Sequence, residues 1–187
     1  MKRVLLIISV LVIMVIGCGC DDDDFAPYEN NSCELSEQLS GNVYVISQIQ
    51  PQVDKIAARY SDKAELYYAQ YSFEGADSGE LLLSYKNQYT KRDTGYTELV
   101  DVYIDLQTKT ATKAVYENGH AKRVGGHGSA HIKNKEIDAL QIYQKHLPEA
   151  QKQGQLNNMT ITFENDDVLI NGWDSDNQNL YHEKEPQ

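Results

Sequence analysis

Apolar residues recur along this chain with two different periods. Val53, Ile56, Ala57 and Tyr60 fall at i, i+3, i+4 and i+7, which places all four on one face of a helix over residues 51–60. Pro51 suits a first helical position, while Ile46 and Ile49 continue the stripe backwards, so the pattern fits a helix starting at Pro51 or a longer one kinked there. The period then drops to two. Tyr67, Ala69, Tyr71 and Phe73 alternate with more polar neighbours over residues 65–74, and Leu81, Leu83 and Tyr85 mark the next strand, joined by a turn at 75–79. Val100, Val102, Ile104 and Leu106 form the cleanest alternation, and residues 107–109 turn into a partner strand over 110–117. A second helix has Ile137, Leu140, Tyr143 or Gln144, and Leu147 on one side, with Pro148 as a break or restart. Met159, Ile161 and Phe163 alternate again, and Asn165-Asp166-Asp167 turns into residues 168–173. Residues 33–47 fit either period. The order predicts an α+β domain: an antiparallel sheet of about four to six strands with two helices packed on one face.

The helix over 51–60, the strands over 64–74 and 80–86, and the hairpin over 100–116 together resemble the PepSY module of exported bacterial proteins. The later helix with two strands reads as a truncated second copy. PepSY hairpins often turn at Asp-x-x-x-Gly, whereas Asp105 is followed here by Leu106-Gln107-Thr108-Lys109. The resemblance implies a non-catalytic interaction or inhibitory module and carries over no catalytic residue.

The start of the chain follows neither period. Lys2 and Arg3 precede thirteen residues, 4–16, that are apolar apart from Ser9. This run matches a secretory signal and is shorter than the ~18 residues a membrane span requires. Val15-Ile16-Gly17-Cys18 resembles the lipobox of bacterial lipoproteins. That resemblance implies removal of residues 1–17 as signal peptide, lipidation of Cys18 with palmitate-type acyl chains, and a cell-membrane location facing outside the cytoplasm. Cys20 is the alternative site, but it lacks the branched apolar residue before it. Two acyl chains suffice for stable anchoring, since each buried methylene contributes about 0.8 kcal/mol. Residues 18–32 then read as an acidic linker, with four aspartates at 21–24 and Pro27, Asn30 and Asn31 discouraging regular structure. Residues 33–187 form a single domain.

Charge narrows the partners. Lys2 and Arg3 leave with the signal, so 15 basic residues face 28 acidic ones, a formal charge of −13. This excludes nucleic acid as an expected partner and argues against adhesion to anionic lipid, because both need a positive patch. With Cys18 lipidated, Cys20 and Cys33 are the remaining thiols, and an exported compartment permits a disulfide across the twelve residues between them.

Chemistry-bearing residues are sparse. His120, His127 and His131 lie among Gly119, Gly125, Gly126 and Gly128, a segment flexible enough to gather imidazoles around a divalent metal or to be a solvated loop. Asp174, Asp176, Gln178 and Glu185 fall at positions 1, 3, 5 and 12 of a calcium-loop count, but Asn179 stands where glycine is needed. A polar tail is the simpler reading. There is no G-x-S-x-G, no phosphate loop, no cofactor motif and no recognisable catalytic carboxylate pair, which argues against an enzyme. Thirteen tyrosines remain to be placed. Tyr68 and Tyr103, with Tyr89 and Tyr96 near them in pattern, fall at solvent-facing strand positions suited to a protein, peptide or glycan partner. The expectation is thus a membrane-anchored lipoprotein with a non-catalytic binding domain. A metal-binding lipoprotein using the histidine segment is the alternative.

Overall fold

Alternating apolar side chains from five strands and the apolar stripes of two helices meet in one core. The computed structural model describes residues 28–122, 124, 126 and 131–187. In chain order the elements are β1 (Glu29–Gln38), α1 (Ile46–Ala57), β2 (Glu65–Gly75), β3 (Ser78–Lys91), β4 (Thr94–Asp105), β5 (Thr110–His120), α2 (Ala139–Gln153), β6 (Asn158–Glu164), β7 (Asp167–Trp173) and β8 (Asn179–Pro186). The strands form a single antiparallel sheet in the order β1-β5-β4-β3-β2-β6-β7-β8.

The expected sheet of about four to six strands with two packed helices is therefore corrected to a mostly β architecture with eight strands. The two unforeseen strands are its edges. β1 is exposed over most of its length and β8 reads Asn-Leu-Tyr-His-Glu-Lys-Glu-Pro, so neither has the buried alternating face that betrays a strand. The charged residues of both edges, with Pro186 on β8, also hinder pairing with other chains. β1 starts at Glu29, inside the stretch read as linker.

The longer-helix alternative describes α1: Ile46, Ile49, Val53, Ile56 and Ala57 are all buried, with Pro51 inside the helix. α2 buries Ala139, Ile142, Tyr143, His146 and Ala150, a face rotated from the expected one, and continues through Pro148. These residues join Ala69, Tyr71 and Phe73 of β2, Leu81, Leu83 and Tyr85 of β3, Val100, Val102 and Ile104 of β4, Met159, Ile161 and Phe163 of β6, and Val168 and Ile170 of β7.

The layout repeats itself. α1 leads into the meander β2-β3-β4, α2 leads into β6-β7-β8, and the two meanders pair antiparallel through their first strands, β2 and β6. The helix starts also meet, at an isolated bridge between Val45 and Asp138. Asp138 caps α2 by accepting from Leu140 N at 2.9 Å and Gln141 N at 3.3 Å, and its other oxygen accepts from Asn42 Nδ2 at 3.2 Å. The glycine-free turn between β4 and β5 is also accounted for. Lys109 takes the left-handed conformation (φ 55°), and Asp105 Oδ1 accepts from the Thr108 amide at 2.6 Å and hydroxyl at 2.8 Å.

Candidate binding site

Strands β3, β4 and β5 run on past the end of α1, and their helix-side face there is lined by tyrosines and amides. Inward-facing Tyr85 and Val100 pair across β3 and β4, so the same parity carries Asn87 opposite Glu98 and Tyr89 opposite Tyr96 onto that face. Across the next ladder Val100 pairs Tyr116, Glu98 pairs Asn118, and Tyr96 pairs His120. Burial by α1 stops at the turn that follows it, where Tyr60 stacks on Tyr116 with ring centroids 6.3 Å apart.

Beyond that turn the side chains organise one another. Tyr89 and Tyr96 stack at 5.4 Å with their planes 13° apart, and His120 lies 6.4 Å from the Tyr96 ring. The Tyr89 hydroxyl donates to Asn118 Oδ1 at 3.4 Å. Glu98 Oε2 accepts from the Ser61 hydroxyl at 2.6 Å and from Asn87 Nδ2 at 2.9 Å, which fixes the carboxylate at the rim of the stacked pair. Partial burial, reinforced by the nearby Glu98 charge, pushes the Tyr89 and Tyr116 hydroxyls above their usual titration range, so both remain neutral donors at physiological pH. The result is a half-buried surface with flat aromatic faces, hydroxyl and amide donors, and a fixed carboxylate. It can recognise an extended polar partner.

The tyrosine face expected around Tyr68 and Tyr103 is not there. A register shift between Leu66 and Tyr68 turns both Tyr67 and Tyr68 to the outer face. There they are covered, at 8% and 6% exposure, in a second apolar cluster with Leu99 and Val124. The Tyr68 hydroxyl donates to Gln70 Oε1 at 2.7 Å. Tyr103 lies under Lys113, whose Nζ is 5.6 Å from the ring centroid.

The histidines do not assemble as a metal centre within the described residues. His120 ends β5 and accepts from the Lys122 amide at 3.3 Å, His131 is exposed in the segment before α2, and His127 lies outside the described residues. Among the described residues no group of three or more His, Cys, Asp or Glu side chains is placed to hold an ion. The calcium-loop residues also separate. Asp174 Oδ1 closes a turn on the amides of Asp176 and Gln178, while Glu185 lies on β8 and bonds Lys145 and His146 of α2. Cys33 is an exposed thiol on β1, whereas Cys18 and Cys20 lie outside the described residues, so the attachment site and the disulfide fall there too.

Sequence reasoning named Tyr89 and Tyr96 but missed Asn87, Glu98, Tyr116 and Asn118. Extending the β3 alternation beyond Tyr85, and the β4 alternation back before Val100, would have found the face. Comparison with known protein families, curated proteins and solved structures gives no match.

Proposed function

We propose that this chain is an exported lipoprotein, anchored to the outward-facing side of the cell membrane through Cys18, whose domain is a non-catalytic module binding a protein or peptide partner. The observation that carries the binding reading is the stacked Tyr89–Tyr96 pair on the sheet face that α1 leaves uncovered, rimmed by Glu98 and Asn118. Tyrosine supplies large, rigid, amphipathic contact area at low conformational-entropy cost, and such residues dominate binding energy at protein surfaces. The succession of one helix and a four-strand meander from α1 to β5, echoed from α2 to β8, supports the PepSY-like reading.

Two measurements test it. Mass spectrometry of the N-terminal peptide reads the anchor: a diacylated Cys18 with residues 1–17 absent is expected, and an unmodified Cys18 with them retained overturns it. A displayed library of short peptides, selected on the parent protein, reads the site. Selected peptides are expected to lose about tenfold or more in affinity for Tyr89→Ala/Tyr96→Ala, a loss of about 1.4 kcal/mol or more. Equal binding to both proteins overturns the assignment.

A further inference from the structure

The ladder between β2 and β3 stops short of the hairpin that β3 makes with β4. It opens with Glu65 opposite Lys86, and β3 then runs on through residues 87–91 paired on its β4 side alone. Strand pairing fixes which backbone groups are left over. Ala121 N bonds Gly95 O at 2.9 Å, so the polar groups of Gly95 point from β4 toward β5. Residues of an antiparallel strand bond their two neighbours alternately, so the groups of Tyr96 and Glu98 point to β3 and those of Thr97 to β5. Tyr96 and Glu98 stand opposite Tyr89 and Asn87, which therefore bond β4, while Gln88 and Thr90 aim N–H and C=O away from it. The two-residue turn at Arg92 and Asp93 agrees, because such a turn closes on a bonded pair, here Lys91 and Thr94.

Lys86 shares the parity of Gln88 and Thr90, and it stands opposite Glu65 of β2. Gln88 and Thr90 are the next two rungs, with no strand beside them. Both residues are exposed, and among the described residues no turn or loop supplies a backbone bond to either. The unfinished edge borders Tyr89, whose stack on Tyr96 marks the candidate site.

We propose that an extended peptide completes this edge, pairing antiparallel with Gln88 and Thr90 where β2 stops, so that the partner is recognised as an added strand. The inference rests on the Tyr89–Tyr96 binding reading above and specifies the partner's conformation at that face. In such docking, main-chain bonds supply affinity and alternate side chains supply specificity. Peptide residues opposite Gln88 and Thr90 send their side chains to the outer face, and the one between them stands opposite Tyr89 on the tyrosine face. An aromatic or β-branched side chain suits that middle position, since these types pair well with tyrosine across a ladder. The outer edges of β1 and β8 are also unpaired, but neither borders Tyr89, and β8 carries Pro186. Two copies of this chain, each strongly negative, repel one another, which favours a separate peptide over a second copy.

The probes are the peptides selected on the parent protein, remade with each backbone nitrogen methylated in turn and titrated for affinity. Methylation is expected to weaken binding about threefold to tenfold at nitrogens two residues apart, and to leave the intervening ones within about twofold. Hydrogen exchange at the Gln88 and Thr90 amides should slow in the complex. Thr90→Pro removes one of these donors at a strand edge, so it should unfold at the parent's temperature yet bind about threefold or more weakly. The methylation pattern and the exchange decide whether or not that variant folds. Losses without alternation, or unchanged exchange at Gln88 and Thr90, overturn the added strand, and the tyrosine site still stands if Tyr89→Ala/Tyr96→Ala weakens the same peptides. Alternating losses with slowed exchange that survive Tyr89→Ala/Tyr96→Ala uphold the edge and sink the tyrosine site. Self-association of the parent in sedimentation, abolished by Thr90→Pro, gives the edge to a second copy and overturns the peptide as its occupant. A library that yields no binder overturns both readings.

Discussion

His146 Nε2 lies 3.0 Å from Glu185 Oε1, so a buried imidazole on α2 is hydrogen-bonded to a carboxylate on the last strand. Because a carboxylate only accepts, Nε2 carries the proton of this bond. Nδ1 is 2.7 Å from the Tyr181 hydroxyl, and Lys145 pairs with the same Glu185 oxygen. A helix otherwise fastened by apolar contacts is thereby pinned to an edge strand with little apolar surface of its own.

This cluster makes stability depend on acid. The bond from Lys145, then that from His146, holds the Glu185 carboxyl below its ordinary value of 4.5 despite the opposing effect of burial. A carboxyl depressed on folding stabilises the protein above its unfolded value and stops doing so as pH falls through its folded one. Glu185→Gln should therefore be less stable than the parent at pH 7 by about 1 kcal/mol. Thermal unfolding at successive pH values should show the gap holding down to about pH 4.5 and closing below it. A gap independent of pH would remove Glu185 from this role.

Gly79 occupies a position that no side chain can share. Its φ is +138°, and a Cβ would come 2.0 Å from the Ser72 carbonyl oxygen on the paired strand. Gly79→Ala should lose about 3 kcal/mol or more in urea unfolding. Gly95 is the control, since the nearest atom to its Cβ position is Ala121 Cβ at 3.8 Å. Gly95→Ala should stay within about 1 kcal/mol of the parent.

Tyr71 reaches through the core to donate to Val43 O at 3.1 Å, tying β2 to the segment before α1. The hydroxyl is fully buried, and burial pushes its ionisation far above the usual tyrosine range. Tyr71→Phe should destabilise by about 1–2 kcal/mol, because the Val43 carbonyl loses its partner in an apolar surrounding. Chemical denaturation would check this, and a neutral result would mean that the carbonyl finds another donor.

Asp93 and Arg92 form the two-residue turn between β3 and β4, both with positive φ, at 63° and 49°. Such hairpin turns favour glycine at the second position. Asp93→Gly should raise stability by about 0.5 kcal/mol, measured as an upward shift of the thermal midpoint.

How far the sequence was legible depended on where each element buries its side chains. The α1 stripe and the β4 alternation were plain because both elements bury one whole face. β1 and β8 were hidden because an edge strand pays its hydrogen bonds into a neighbour without burying a face, and register rather than hydropathy defines it. The α2 face was misjudged because its central buried position is His146, whose polar type masks a core site. Tyr67 was misplaced because one bulge residue reverses parity, and no pattern of apolar residues announces a bulge; Tyr68 lies on the expected face but is covered there by the cluster with Leu99 and Val124. The binding face was half legible for the reverse reason. Its tyrosines stand out, but Glu98 and Asn118 become part of it only once strand pairing sets Glu98 between Asn87 on β3 and Asn118 on β5.

The placement of β1 has a mechanical meaning. Its ladder to β5 runs from Glu29 opposite Asn118 to Gln38 opposite Thr110, with bonds lying across the strand direction. A pull on the chain ahead of Glu29, directed along the strand, loads these bonds together as a shear. A pull at right angles from the same point would open them one by one. The sheet is thus toughest against forces drawn along the axis of its first strand, the load that the proposed anchor would apply through the residues ahead of Glu29.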